Sequence, residues 1–580
     1  QVGTLMECVA GRDRMDCLEK VNEREADVIA VDPEDMYVAY HLNNEDFRVV
    51  SEIRTQVEKD AEFRYEGIIL VKKDSPIHSL EDLRGKKACY TGFGRNVGYK
   101  IPITKLKKAG VLKVSSDPTL SPTERELKAL SEFFTDGCLV GTYSPNENVE
   151  KLLKKKYSNL CTLCEDPEKC NYPDKYSGYE GAIRCLAEGQ GDVAFTKTVF
   201  VKKYFGMSGQ EAQANKDNFQ YLCEDGSRKE LTDKPCSWAK RPWQGYMTYS
   251  DAVKERAQLE RLQSRIDSFY NHARESENVE AAKHLLIKSD LFLKEKETPV
   301  MPQEYLEHAG YKDVIERDGS MSQKIRFCVV NNYEFQKCEK LRSAAYSRDI
   351  RPEFECIQHS KEECMKAVHD QEADAMIVTA DDYKKAKDNA LHPVVYEKYA
   401  EDDVFVVVVP SGFSSDLIAK SHVKYDEGNN RAKYAAYLFN TVRGKQSCSD
   451  DFASYDDGQI EIVNAKYLDQ YEGKKIVCSD MELKDVSEYK TCNFEAALPN
   501  AVFVRDGLPE NDFNNILHAF TLLSERFGPN GWYKDVFAIF DEFLPGHKNV
   551  LFHDGIVGLS TEFTPFNGVS AARFEELKCH

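Results

Sequence analysis

Between Arg84 and Gly98 the chain reads Arg84-Gly-Lys-Lys-Ala-Cys89-Tyr90-Thr91-Gly92-Phe-Gly94-Arg95-Asn-Val97-Gly98, a glycine-rich turn carrying one hydroxyl and one guanidinium. A dinucleotide fingerprint needs G-x-G-x-x-G, with small residues where pyrophosphate approaches the backbone. Here the spacing is G-x-G-x-x-x-G, and Arg95 stands at the point of approach. A small planar anion suits the segment better. Thr91 offers a hydroxyl, Arg95 a flat fork of donors, and the amides of Val97 and Gly98 open the N-terminus of a helix. The competing reading is that the glycines only make a tight turn and Arg95 pairs with a surface carboxylate.

The elements around this turn alternate in period. Ala26 to Val31 reads as a strand, Pro33 to His41 as a helix, Gly67 to Lys72 as a strand, and Asn96 to Lys108 as a helix. That alternation predicts α/β layers. Asp32, followed by Pro33, has the form of a helix N-cap with proline at the first helical position.

Composition bounds the rest. At 580 residues the chain exceeds one hydrophobic core, and about 100 to 200 residues per domain suggests three or four compact units. A net charge of -20 opposes binding to nucleic acid or to an anionic membrane surface, both of which need clustered Lys and Arg. Lys154-Lys155-Lys156 reads as a solvated face, and the most apolar run, Val404 to Pro410, is too short to span a bilayer. Eighteen cysteines point to disulfides in an oxidising compartment or to bound metal. The Cys161-x2-Cys164 pair lacks a second CxxC to complete a zinc site, whereas Cys223/Cys236 and Cys478/Cys492 sit at loop-closing separations, so secretion is the expectation. The chain begins at Gln1 without a signal peptide, which fits a processed mature protein or a trimmed chain. Pairing within Cys138, Cys161, Cys164 and Cys170 stays open at this level.

An internal repeat divides the chain. Glu25-Ala-Asp27-Val-Ile-Ala-Val31 recurs as Glu372-Ala-Asp374-Ala-Met-Ile-Val378, about 347 residues later, each copy preceded by a helix with one cysteine, Cys17 or Cys364. A polar stretch with Pro299 and Pro302, around residues 295 to 324, reads as the linker between two lobes. The second lobe opens with Ile325-Arg-Phe-Cys328-Val-Val and then Cys338, and nothing equivalent precedes Cys8. Cys356 and Cys364 can therefore find partners in Cys338 and Cys328, while Cys8 and Cys17 are expected to lack theirs.

Gly178-Tyr179-Glu180-Gly181-Ala182-Ile-Arg-Cys185-Leu and Gly191-Asp-Val-Ala-Phe195, together with the Thr91 to Gly98 turn and in this order, closely resemble the transferrin family, and more specifically its insect type. Further matching pieces are Glu25-Ala-Asp27 to Asp32, Val71-Lys-Lys-Asp74-Ser75 and Cys223-Glu-Asp-Gly226-Ser-Arg-Lys229, so the likeness spans most of residues 8 to 250. The resemblance implies an α/β fold of two homologous lobes. Each lobe would be a pair of subdomains closing on a ligand cleft, as in periplasmic binding proteins: 1–320 first (about 1–64 plus 242–320, and 65–241), then 325–580. It implies Fe3+ held with carbonate. Tyr179 stands at the second tyrosine ligand of the family's G-Y-x-G-A motif, Tyr65 at the other tyrosine, and Asp32 at the aspartate; Thr91, Arg95, Val97 and Gly98 stand at the carbonate site. The family's histidine position is filled by Gln244, a neutral amide that suits a hard trivalent cation poorly. Water or a further exogenous anion is expected there, with Gln244 at most hydrogen-bonding it.

The second half does not keep this set. Thr379 replaces the aspartate, Asp403 and Val404 stand where a tyrosine should start the strand, Ser421-His-Val-Lys-Tyr425-Asp-Glu-Gly428 replaces the anion turn, and Phe494-Glu-Ala-Ala497-Leu replaces G-Y-x-G-A. The expectation is a secreted carrier or sequestering protein, monomeric, found in a haemolymph-like fluid, binding one ferric ion with carbonate in its first lobe and releasing it in acid. No receptor is legible. With neither a G-x-S-x-G elbow nor an HExxH helix, an enzyme is not expected. An anion-binding module without metal is the remaining alternative, and it has no need of two phenols.

Overall fold

The computed structural model describes residues 6–117, 119–317, 323–445 and 459–561. Its central strands are continuous apolar runs. Tyr65–Lys72 buries Gly67 through Val71 and pairs with Val193–Lys197 on one side and Phe219–Leu222 on the other, as a strand covered by helices on both faces should. Four sheets result.

The first sheet is antiparallel and joins Ile29–Val31, Gln244–Tyr249, Phe47–Thr55 and Leu291–Val300. The second draws all its strands from residues 65–241: Asp136–Cys138, Lys87–Cys89, Val193–Lys197, Tyr65–Lys72, Phe219–Leu222 and Arg228–Glu230, with Ala239–Arg241 also paired to Tyr65–Lys72. The chain passes between them twice, from Thr55 to Tyr65 and from Arg241 to Gln244, and Tyr65 lies opposite Arg241 in the register. The second lobe repeats the plan, with one sheet built on Lys324–Val329 and Ala501–Arg505 and the other on Phe405–Val409. The molecule is thus a two-lobed α/β protein.

The stretch 295–324, expected as linker, is in part regular structure. Leu291–Val300 is an edge strand, and the helices Pro302–His308 and Lys312–Glu316 follow. Its polar character comes from an edge position whose burial is only partial. One apolar cluster runs across both lobes, from Met15 and Leu18 to Phe520 and Phe537, and Arg14 N donates to Asp535 O at 3.0 Å across the boundary.

Disulfides close the loops: Cys89–Cys185, Cys223–Cys236, Cys328–Cys364, Cys338–Cys356 and Cys478–Cys492. The open set resolves as Cys138–Cys164 and Cys161–Cys170. Cys8 and Cys17 carry thiols. No helix among the described residues is long and apolar enough to cross a membrane.

Candidate metal centre

The anion turn leaves the strand Lys87–Cys89 and enters the helical turn Asn96–Lys100, which runs into the helix Ile101–Lys108. Thr91 is fully buried, and its Oγ1 has no hydrogen-bond partner. A buried hydroxyl without a partner is costly, so its presence marks a place shaped for something that accepts or donates there. Directly above it lies Gly98, where an added Cβ would stand 1.8 Å from Thr91 Oγ1. Only glycine lets the helix start come this close to the hydroxyl. Arg95 precedes the helix, exposed, its Nε donating to Tyr172 Oη at 3.2 Å. A hydroxyl, a guanidinium and the amides of Val97 and Gly98 therefore lie on one turn, donors of the kind a planar dianion takes.

The same turn is tied to the helix Gly178–Ala187, which carries Tyr179. Gly178 N donates to Thr91 O at 2.9 Å, and Gly178 takes φ of +77°, a conformation that suits glycine. Cys89–Cys185 bonds the strand to the same helix. Arg95 and Tyr65 both lie near enough to the Tyr179 phenol to act on it electrostatically. Lys197 sits over both rings, its Nζ 4.9 Å from the Tyr65 centroid and 4.4 Å from that of Tyr179. Tyr65, Tyr179, Thr91 and Arg95 are thus brought together. Burial, helped by the neighbouring Tyr65, pushes the Tyr179 phenol above its ordinary value despite Arg95, so it keeps its proton at neutral pH until a cation displaces it.

Sequence reasoning missed the polar chain behind Tyr65. Asn96 Nδ2 donates to Tyr65 Oη at 3.2 Å and to Tyr311 Oη at 2.8 Å; Tyr311 donates to Glu34 Oε1 at 2.8 Å; and Arg241 grips Glu34 through two nitrogens, at 2.8 and 3.0 Å, while also donating to Tyr311. Burial alone would raise the Glu34 carboxyl, but Arg241 outweighs it and holds it below its ordinary value. Residues as far apart as Glu34 and Tyr311 carry no local signal of such a contact. Lys197 has none either.

Asp32 and Gln244 lie on the other half of the lobe. Asp32 caps the helix Pro33–Asn43, its Oδ1 accepting from Asp35 N at 2.7 Å in a reciprocal capping box. Its carboxylate also accepts from Arg348 of the second lobe, at 3.1 and 3.0 Å, and from Arg14 at 3.3 Å. Gln244 opens the strand Gln244–Tyr249, whose register sets Gly245 opposite Val31, next to Asp32.

Three of the four altered positions of the second lobe, Thr379, Asp403 and the Phe494 segment, hold other chemistry. Thr379 Oγ1 donates to Asp382 at 3.1 Å, and Phe494 is wholly buried. At the start of the helix Asn430–Val442, Arg431 binds Asp403 Oδ1 at 2.9 Å and Glu495 Oε2 at 2.6 Å, and stacks 3.8 Å from the Tyr399 ring.

A family model described as Transferrin matches residues 1–305 and 325–409. The chain is 52% identical over 580 residues to the transferrin of Sarcophaga peregrina, covering 100% of this chain and 91% of that one. It is 36% identical to the transferrin of Manduca sexta over 96% of this chain and 90% of the other. The solved structure of transferrin 1 from Manduca sexta is similar with a TM-score of 0.86 and 34% identity, over 100% of this chain and 95% of that chain. With the duplicated lobes and the tyrosine–arginine cluster already in place, the chain belongs to the transferrin family of iron-binding proteins.

Proposed function

We propose that the first lobe carries or sequesters one ferric ion together with carbonate, in an extracellular fluid, and that the second lobe holds none. The observation that carries this reading is the partnerless Thr91 hydroxyl beneath Gly98, on the same turn as an Arg95 whose charge acts on the Tyr179 phenol. Carbonate would lie on Thr91, Arg95 and the amides of Val97 and Gly98. Tyr65 and Tyr179 would supply phenolate oxygens, the hard anionic donors a trivalent cation favours. Asp32 we place outside the coordination shell in this conformation, because the cap, Arg14 and Arg348 already engage its carboxylate. The position of the family's histidine, Gln244, leaves room in the shell for water or a second exogenous anion.

Release in acid follows from the proton count. Iron displaces the Tyr179 proton, whose affinity burial has raised, and carbonate must itself be free of its proton. Falling pH therefore opposes binding, first at the carbonate and then at the phenolates. Without a histidine ligand, release is expected at lower pH than in a lobe that has one. Seven disulfides among the described residues support an oxidising, extracellular location.

Titration of iron-free protein with ferric ion in bicarbonate, followed by visible absorbance, tests the reading. One equivalent of ferric-phenolate colour, shifted or abolished in Tyr179→Phe and Tyr65→Phe, is expected. Two equivalents would return a site to the second lobe. No colour would leave an anion-binding module.

A further inference from the structure

The second lobe has lost the ligand set but not its hold on the first. The helix Asn332–Ser347 ends in the dipeptide Arg348-Asp349, which enters the first lobe. Arg348, with a side chain 1% exposed, donates to both oxygens of Asp32 and, at 2.7 Å, to Asp35 Oδ1. Both carboxylates belong to the helix Pro33–Asn43, on the half of the clamp built around the first sheet.

Asp349, with φ of +62°, turns the other way. Its carboxylate meets Lys100 Nζ at 3.3 Å and Arg317 Nε at 3.6 Å. Lys100 lies two residues beyond Gly98 on the helical turn that follows the anion site, so it belongs to the opposite half of the clamp. Arg317 is fixed to that half as well, through Glu126 at 2.6 Å, Thr104 Oγ1 at 3.3 Å and Lys100 O at 3.4 Å. Two adjacent residues of the second lobe therefore hold the two halves of the first. Their Cα atoms are fixed about 3.8 Å apart by the peptide bond between them. If the cleft opens by rotating one half away from the other, Arg348 and Asp349 cannot follow both, and one grip must break.

Resting on the ferric reading above, we propose that Arg348 and Asp349 form a latch supplied by the second lobe, which holds the first-lobe cleft shut and slows iron release. They are positioning residues: they act through Asp32, Asp35 and Lys100 and do not touch the metal. In this arrangement the second lobe works as a governor of the first lobe's clamp.

The test uses the full chain with Asp349→Asn, Arg348→Gln, Arg348→Lys, Lys100→Gln and the double variant Lys100→Gln/Asp349→Asn. Iron release to an excess of chelator at fixed pH is followed by the visible band. Asp349→Asn and Arg348→Gln should release iron about tenfold faster or more, Arg348→Lys should recover most of the wild-type rate, and the double variant should be no faster than Asp349→Asn alone. A second readout needs no iron. In metal-free protein, Asp349→Asn should show a larger radius of gyration by small-angle X-ray scattering and faster amide exchange at the crossing segments near Tyr65 and Arg241. Wild-type release rates with unchanged scattering and exchange would overturn the latch, as would a double variant whose effects simply multiply. If wild-type protein gives no visible band, the ferric reading fails, and scattering and exchange of the metal-free variants then decide the latch alone.

Discussion

Each lobe sets an arginine at the start of a helix that follows a strand of its second sheet, and the two are treated in opposite ways. Arg95 is exposed, its neighbours are neutral phenols, and the hydroxyl beside it has no partner. Arg431 is enclosed by Asp403 and Glu495, with Tyr399 against its face. Asp403 stands where the first lobe has Tyr65, and Glu495 lies in the segment that replaces the Tyr179 motif. The second lobe thus neutralises its arginine with carboxylates of its own, where on the proposed reading the first lobe takes an external anion. Charge balance that the first lobe would obtain from solution on that reading is built covalently into the second. The difference shows how a positive group at a helix start is made structural: the chain itself supplies the counter-ions.

The comparison breaks most visibly at Arg431. Removing it leaves Asp403 and Glu495 buried without a cation, and breaking a buried ion pair in this way costs roughly 3 to 5 kcal/mol. Arg431→Gln should therefore lower the unfolding midpoint of the second lobe strongly in urea, while the ferric titration of the first lobe keeps its single equivalent. Little change in stability would mean that the Arg431 cluster does not carry the lobe.

Arg95 should respond in the opposite sense. It bears no comparable structural load, so Arg95→Gln should leave the melting temperature within about a degree of wild type. The loss of charge-assisted hydrogen bonds, roughly 1.5 to 3 kcal/mol, should instead weaken ferric binding in bicarbonate by about 10- to 100-fold. Competition against a chelator of known affinity would measure it. An unchanged affinity would remove Arg95 from the anion site.

Much of this contrast was legible in the residues. The spacing of Thr91, Arg95, Val97 and Gly98 announced a turn leading into a helix start, and Gly98 is where a side chain would collide with Thr91. The internal repeat indicated Cys328–Cys364 and Cys338–Cys356, and the loss of the tyrosines from the second lobe was plain. What replaced them was not. Arg431, Asp403 and Glu495 meet through tertiary packing across more than sixty residues, and no local pattern marks that meeting. The same holds for Glu34 with Arg241 and for Arg348 with Asp32, whose partners lie 207 and 316 residues away. Periodicity reports which face of an element is buried. It says nothing of which distant charge lies on that face.

Asp32 is where the two readings of the first lobe part with the smallest expected effect. Sequence resemblance makes it a ligand; its surroundings make it a cap and an anchor for Arg348. Asparagine caps helices about as well as aspartate, so Asp32→Asn preserves the bond from Asp35 N. Arg348 and Arg14 also keep their 2.7 Å contacts with Asp35, where both arginines already converge. With the cap and the second carboxylate retained, ferric affinity should change by less than about threefold, under 1 kcal/mol. A ligand role predicts far more, since replacing an anionic oxygen by an amide removes a full charge from the shell of a trivalent ion. A fall of tenfold or more in chelator competition would return Asp32 to the coordination shell. It would also require Arg348 to release it when iron enters, which would make the second lobe's grip part of the metal-binding step itself.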